Sequence, residues 1–135
     1  MMPLATEEMI RWVTPVKEFM RTSTRDYEIG GVTIKAGQQV LLMYPSGNRD
    51  EAEFDRPHEF DVTRKPNRHV AFGAGVHFCL GAALARMETQ AIFAELLPRL
   101  EHIELAGPVE GVPSTFVSGL KRLPIRYRLA DPVTA

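Results

Sequence analysis

Phe72-Gly73-Ala74-Gly75-Val76-His77-Phe78-Cys79-Leu80-Gly81 is the stretch on which the reading of this chain turns, and it holds the only cysteine of the sequence. Glycines at 73, 75 and 81 let the backbone turn tightly and approach another object closely. A strongly helical segment follows at once. A sulfur placed there faces the unpaired N–H groups and the positive end of a helix, surroundings that favour thiolate over thiol. A thiolate in such a loop is well placed to ligate a metal. The competing reading is a small buried core thiol.

Working outward, Leu80 to Leu97 is the clearest helix. Leu80, Ala83, Leu84, Met87, Ala91 and Ala94 form an apolar stripe at three-four spacing, with Arg86, Glu88, Gln90 and Glu95 mostly off it. Pro98 closes the segment. Upstream, Thr6 can cap a short helix with Glu7 and Glu8 in its first turn, ended by Pro15. Phe19–Ile29 and Val32–Ile34 read as strands joined at Gly30-Gly31, and Gln39–Met43 as a buried strand. From Pro45 to Phe72 periodicity fails, yet Phe54, Phe60 and Val62 argue for packed irregular structure. Downstream, His102–Leu105, Thr115–Val117 and Ile125–Leu129 read as short strands punctuated by glycine and proline. The predicted class is α+β.

The 135 residues suit one domain, and 44% apolar residues are enough for a core. A net charge of −1 gives no electrostatic reason to expect nucleic acid as a partner. A single cysteine excludes an intramolecular disulfide and fits a reducing cytoplasm. No apolar run approaches the roughly 18 residues of a membrane span. Met1–Trp12 lacks the basic cluster that opens a secretory signal.

The spacing Phe-x-x-Gly-x-His-x-Cys-x-Gly, met by Phe72, Gly75, His77, Cys79 and Gly81, resembles the haem loop of the cytochrome P450 superfamily, the haem-thiolate monooxygenases. Further landmarks follow the family's order. Glu8-Met9-Ile10-Arg11 resembles the Glu-x-x-Arg of its K helix. Asp26–Ile34 with Gly37 resembles a strand pair, and Asn48-Arg49-Asp50 the next short helix. Arg64–Gly73 resembles the approach to the loop, and Leu84-Ala85-Arg86 with Glu88 the L helix. The resemblance runs from about Ala5 to Leu129 and implies the C-terminal, haem-binding part of a single cytochrome P450 domain over residues 1–135. In order, that part holds the K helix, strand pairs, meander, cysteine loop, L helix and C-terminal hairpin. The N-terminal part of the family fold, with its oxygen-activating helix, is expected to lie outside this chain.

The resemblance also assigns roles. Cys79 is the axial thiolate of haem b, Phe72 packs on the sulfur side of the ring, Gly73 borders it, and the Leu80 and Gly81 amides donate to the sulfur. His77 and Arg21 are the expected propionate ligands; a guanidinium suits a carboxylate through charge-assisted paired hydrogen bonds. Glu8 and Arg11 share a helix face at i,i+3 and are expected to lock the meander. The family's third network partner is an arginine of the meander. Here Pro57-His58-Glu59-Phe60 carries Glu59 at that place, so Arg56 is the first candidate and Arg64 the second. Val16, Phe116 and Val117 are expected near substrate. His58, His69 and His102 show no metal-ligand spacing and are read as structural. The implied activity is hydroxylation of an apolar substrate of the steroid or branched-lipid class, with O₂ and NAD(P)H. Electrons would arrive from a ferredoxin or similar redox partner on the proximal face. The alternatives are a non-catalytic haem-binding or interaction module, a decayed remnant, or a plain α+β domain with an inert cysteine.

Overall fold

A computed structural model describes residues 1–130; the last five positions of the expected 1–135 unit lie outside the described residues. Helix α1 spans Met2–Val13. It starts earlier than a Thr6 cap would place it. Pro3 is tolerated in the first turn, where N–H groups have no helical partner. Thr6 lies inside the helix, and its hydroxyl donates to the Met2 carbonyl at 3.0 Å. Glu7 and Glu8 therefore sit beyond the first turn, where they can reach other segments. Thr14 ends the helix in a left-handed conformation (φ 42°), its N–H on the Ile10 carbonyl at 2.9 Å, ahead of Pro15.

The expected strand Phe19–Ile29 is two. Strand β1 (Glu18–Thr22) and β2 (Tyr27–Ile29) are separated by a turn in which the Ser23 hydroxyl caps the Arg25 carbonyl. Strand β2 pairs with β3 (Val32–Ile34) through Gly30-Gly31, whereas β1 pairs antiparallel with β4 (Gln39–Met43), Arg21 opposite Val40. Strand β4 alternates half-buried and exposed positions and is not a fully buried strand. A one-turn helix α2 (Tyr44–Gly47) follows, and then irregular chain to the cysteine loop. Helix α3 runs Ala82–Leu96. Strand β5 (Leu100–Leu105) pairs with β8 (Ile125–Leu129), and β6 (Glu110–Gly111) with β7 (Leu120–Arg122). Thr115–Val117 forms no strand; one bridge joins Val117 to Val16.

Helices α1 and α3 pack on each other, and the buried side chains are mostly polar. Ile10, Phe54, Ala71 and Ala82 are buried with Thr6, Glu8, Arg11, Thr14, Asn48 and Arg64. Of α3, Ala82 is buried and Ala85 and Arg86 are half-buried, while Leu84, Met87 and Ile92 are exposed. The face turned to α1 is thus small and polar rather than the apolar stripe. No helix among the described residues is long and apolar enough to cross a membrane.

Candidate haem-binding site

A carboxylate on α1 anchors the meander. Glu8 is fully buried and accepts from Arg11 Nε at 2.8 Å and Arg11 Nη2 at 2.7 Å. It also accepts from the Asp61 amide at 2.9 Å, Asn67 Nδ2 at 3.0 Å and Arg64 Nε at 3.1 Å. Burial pushes this carboxyl up, but the hydrogen bonds from Arg11, the Asp61 amide and Arg64 outweigh it and hold the group below its ordinary value. Arg11 reaches on to the carbonyls of Asn48, Pro57 and Glu59, at 2.8, 2.9 and 3.0 Å. The third partner is Arg64, not Arg56. Arg56 leaves the backbone at φ 47° with its side chain 55% exposed and pairs with Asp55, Glu59 and Asp61 at the surface. Arg64 fills the interior instead and bonds the carbonyls of Asp55, Arg56 and Glu59.

From this anchor the chain is led into the loop. Asn48 Nδ2 donates to the Thr14 hydroxyl at 2.8 Å, and its Oδ1 accepts the Val70 amide at 2.7 Å. The loop closes where the Cys79 amide meets the Phe72 carbonyl at 2.9 Å and the Gly73 amide meets Val70 at 2.8 Å. Gly73 and Gly75 sit at φ 73° and 67°, a region costly for residues with a Cβ. Residues 75–77 form one 3₁₀ turn. Cys79 is exposed and in no disulfide, three residues ahead of α3. Among the described residues no amide donates to its sulfur. The Ala82 N–H, first of α3, turns to the Cys79 carbonyl at 3.2 Å. Leu80 is fully exposed, and Gly81 lies close to the sulfur: a Cβ there would stand 3.9 Å from Sγ.

A second cluster braces the loop from behind. Glu7 takes a two-point contact from Arg86, at 2.6 and 2.8 Å, and accepts His69 Nε2 at 3.0 Å. The Arg86 guanidinium lies 4.7 Å from the Phe72 ring centre. Arg86 hydrogen bonding draws the Glu7 carboxyl below its usual range, and the same contact raises Arg86. Burial pushes the His69 imidazole down and outweighs the opposing pull of Glu7. Its Nδ1 accepts the Ala71 amide at 3.3 Å, which the neutral ring can do and the protonated ring cannot.

That arrangement fixes a sign. Neutral His69 in the fold and an ordinary value of 6.5 when unfolded mean that the unfolded chain gains the proton first. Stability should therefore fall as pH drops below 6.5, and fall further below 4.5, where unfolded Glu7 and Glu8 take protons that the folded ones refuse. Unfolding free energies measured across pH 5 to 7 should show a slope that His69→Gln flattens. Equal slopes in the two proteins would remove His69 as its source.

The cysteine opens on a cavity of about 540 Å³ lined by Val16, Phe19, Arg21, Tyr44, Phe72, Gly73, His77, Cys79 and Ala85 among others. Six of the residues singled out in the sequence thus meet around one space: Val16, Arg21, Phe72, Gly73, His77 and Cys79. Phe116 and Val117 do not line it. Phe116 packs edge-on against Phe19 at 5.3 Å, and Val117 bridges Val16. Sequence reasoning missed Phe19, Tyr44 and Ala85 in the lining, and Glu7 and His69 behind it; no local spacing marks any of them.

The residues suit a haem. Among the described residues no group of three or more His, Cys, Asp or Glu could hold a bare metal ion. A single thiolate suffices when the metal brings its own macrocycle. Arg21 has no acidic partner among the described residues; its one hydrogen bond is Nη1 to the Met20 carbonyl at 2.9 Å, which leaves donors for carboxylates at the cavity edge.

The comparisons agree with that fit. The family model for cytochrome P450 matches residues 1–127, and the chain belongs to this family. It is 50% identical over 130 residues to cytochrome P450-terp of a Pseudomonas species, covering 96% of this chain and 30% of that protein. It is 44% identical to a steroid C26-monooxygenase of Mycolicibacterium smegmatis, covering 100% of this chain and 34% of that one. Among solved structures, CYP108D1 of Novosphingobium aromaticivorans superposes with a TM-score of 0.88 at 49% identity, over 95% of this chain and 32% of that one. The chain thus spans about a third of the length of the relatives it matches.

Proposed function

We propose that this chain supplies the thiolate side of the site in a haem-thiolate monooxygenase whose whole length resembles that of its relatives. The observation that carries the reading is the convergence of Cys79, Phe72, His77 and Arg21 on one largely apolar cavity. Bound haem b would supply oxygen activation, since thiolate ligation feeds electron density to the iron and favours O–O cleavage. Cys79 would hold the metal from the loop, Phe72 would pack against the group, and Arg21 and His77 would hold its two propionates. Val16 and Phe19 present apolar surface to what lies across the cavity. An apolar substrate follows from that lining. A steroid or branched lipid is the class we favour, in keeping with the name of one relative. Electrons come from NAD(P)H through a ferredoxin-like partner docking near the exposed end of the cysteine loop, and the protein works in the cytoplasm.

The test is spectroscopic. Haem added to the purified protein, reduced and exposed to carbon monoxide, should give the red-shifted carbonyl band of a thiolate-ligated iron. A carbonyl band without that shift would leave a haem-binding module lacking the thiolate, and no haem uptake would end the reading altogether.

A further inference from the structure

Arg21 and His77 border two cavities at once: the one holding Cys79, and an adjoining space of about 330 Å³ lined by Leu42, Met43, Val70, Gly73 and Ala74. One more side chain shares both linings, Tyr44. Its place is fixed from several sides. The Tyr44 amide donates to the Lys17 carbonyl at 3.0 Å, and its carbonyl accepts the Asn48 amide at 2.9 Å. The ring packs edge-on against Phe19 at 6.1 Å. The hydroxyl reaches Gly73, where a Cβ would stand 3.5 Å both from it and from the His77 carbonyl.

The contacts with Phe19, Lys17 and Asn48 are made by the ring and the backbone, and a phenylalanine would keep them. The hydroxyl itself has no hydrogen-bond partner among the described residues. Tyr44 shares both cavity linings with Arg21, which has no acidic partner among the described residues, and with His77. A phenol, a guanidinium and an imidazole N–H are all donors, and no carboxylate lines either cavity. Such a donor set matches a ligand edge that only accepts, and a carboxylate is the acceptor-only group that takes several donors at once. We propose that the Tyr44 hydroxyl is a third donor to a haem propionate, beside Arg21 and His77. This rests on the haem reading above.

The experiment loads wild type, Tyr44→Phe and Arg21→Ala with haem and, separately, with haem whose two propionates are methyl esters. Transfer to excess apomyoglobin then reports the rate of loss. Tyr44→Phe should lose haem about tenfold faster than wild type, one hydrogen bond to a charged group being removed. It should lose the ester at the wild-type rate, because the ester offers no charged acceptor. Arg21→Ala should show the same contrast more strongly. Equal loss of haem from wild type and Tyr44→Phe would overturn the inference. So would equal acceleration for haem and ester, which would make ring packing the cause. Wild type retaining haem no longer than the ester would likewise overturn it, without reference to any variant. If wild type binds neither form, the haem reading fails and this inference goes with it; if it binds both, only the donor role of Tyr44 is at stake.

Discussion

Cys79→Ser should abolish the red-shifted carbonyl band completely while leaving the loop in place. The loop is closed by backbone contacts, the Cys79 amide on the Phe72 carbonyl and the Gly73 amide on Val70, and serine keeps both. The positive-φ glycines that set its path, Gly73 and Gly75, are untouched. What changes is one atom. A thiolate ligand gives electron density to iron, whereas serine offers only a hydroxyl, a poor ligand. The variant should still take up some haem, because Arg21, His77 and the cavity walls remain. Its reduced carbonyl spectrum should be that of iron without sulfur. A serine variant with the wild-type band would show that another group ligates the iron.

The cysteine loop was legible because its information is local. Ten residues carry the ligand and the turns, a helix follows at once, and the structure gathers Phe72, Gly73, His77 and Cys79 around one cavity. The strand residue Arg21 joins them only through the resemblance; nothing in the strand itself marks it. What failed to read was nonlocal or irregular. The choice between Arg56 and Arg64 was decided by a single left-handed residue, Arg56, which turns its own side chain outward and presents its carbonyl to Arg64. No sequence spacing encodes that. The apolar stripe of α3 foretold a helix correctly but misled about its contact. Helix α3 is tied to α1 by the Arg86–Glu7 pair, with Ala82 buried, while Leu84 and Met87 are exposed. Glu7 and Arg86 stand 79 residues apart, beyond any pattern in the chain.

Glu8→Gln should destabilise the protein by about 3–5 kcal/mol, the usual cost of removing one partner from a buried ion pair. Glu8 and Arg11 are fully buried and Arg64 is 7% exposed, so solvent cannot replace the lost carboxylate. Glutamine keeps the shape but brings an N–H₂ group toward two guanidinium groups and the Asp61 amide, all of them donors. Two positive charges would be left in the interior with only neutral carbonyl acceptors and no counter-charge. The damage should extend to the haem loop, because Arg11 holds the Asn48 carbonyl and Asn48 holds the Val70 amide ahead of Phe72. Haem retention in Glu8→Gln should therefore fall along with stability. Arg64→Met should also be strongly destabilising, since it strips Glu8 of one cation and the Asp55 carbonyl of its donor, and takes one of two donors from each of the Arg56 and Glu59 carbonyls. Arg56→Ala is the contrast, because its ion pairs lie at the surface and exposed pairs contribute little. Urea titrations of the three variants decide the matter. If Arg56→Ala proved as damaging as Arg64→Met, the network partner would be Arg56 after all, and the buried position of Arg64 would have no energetic consequence.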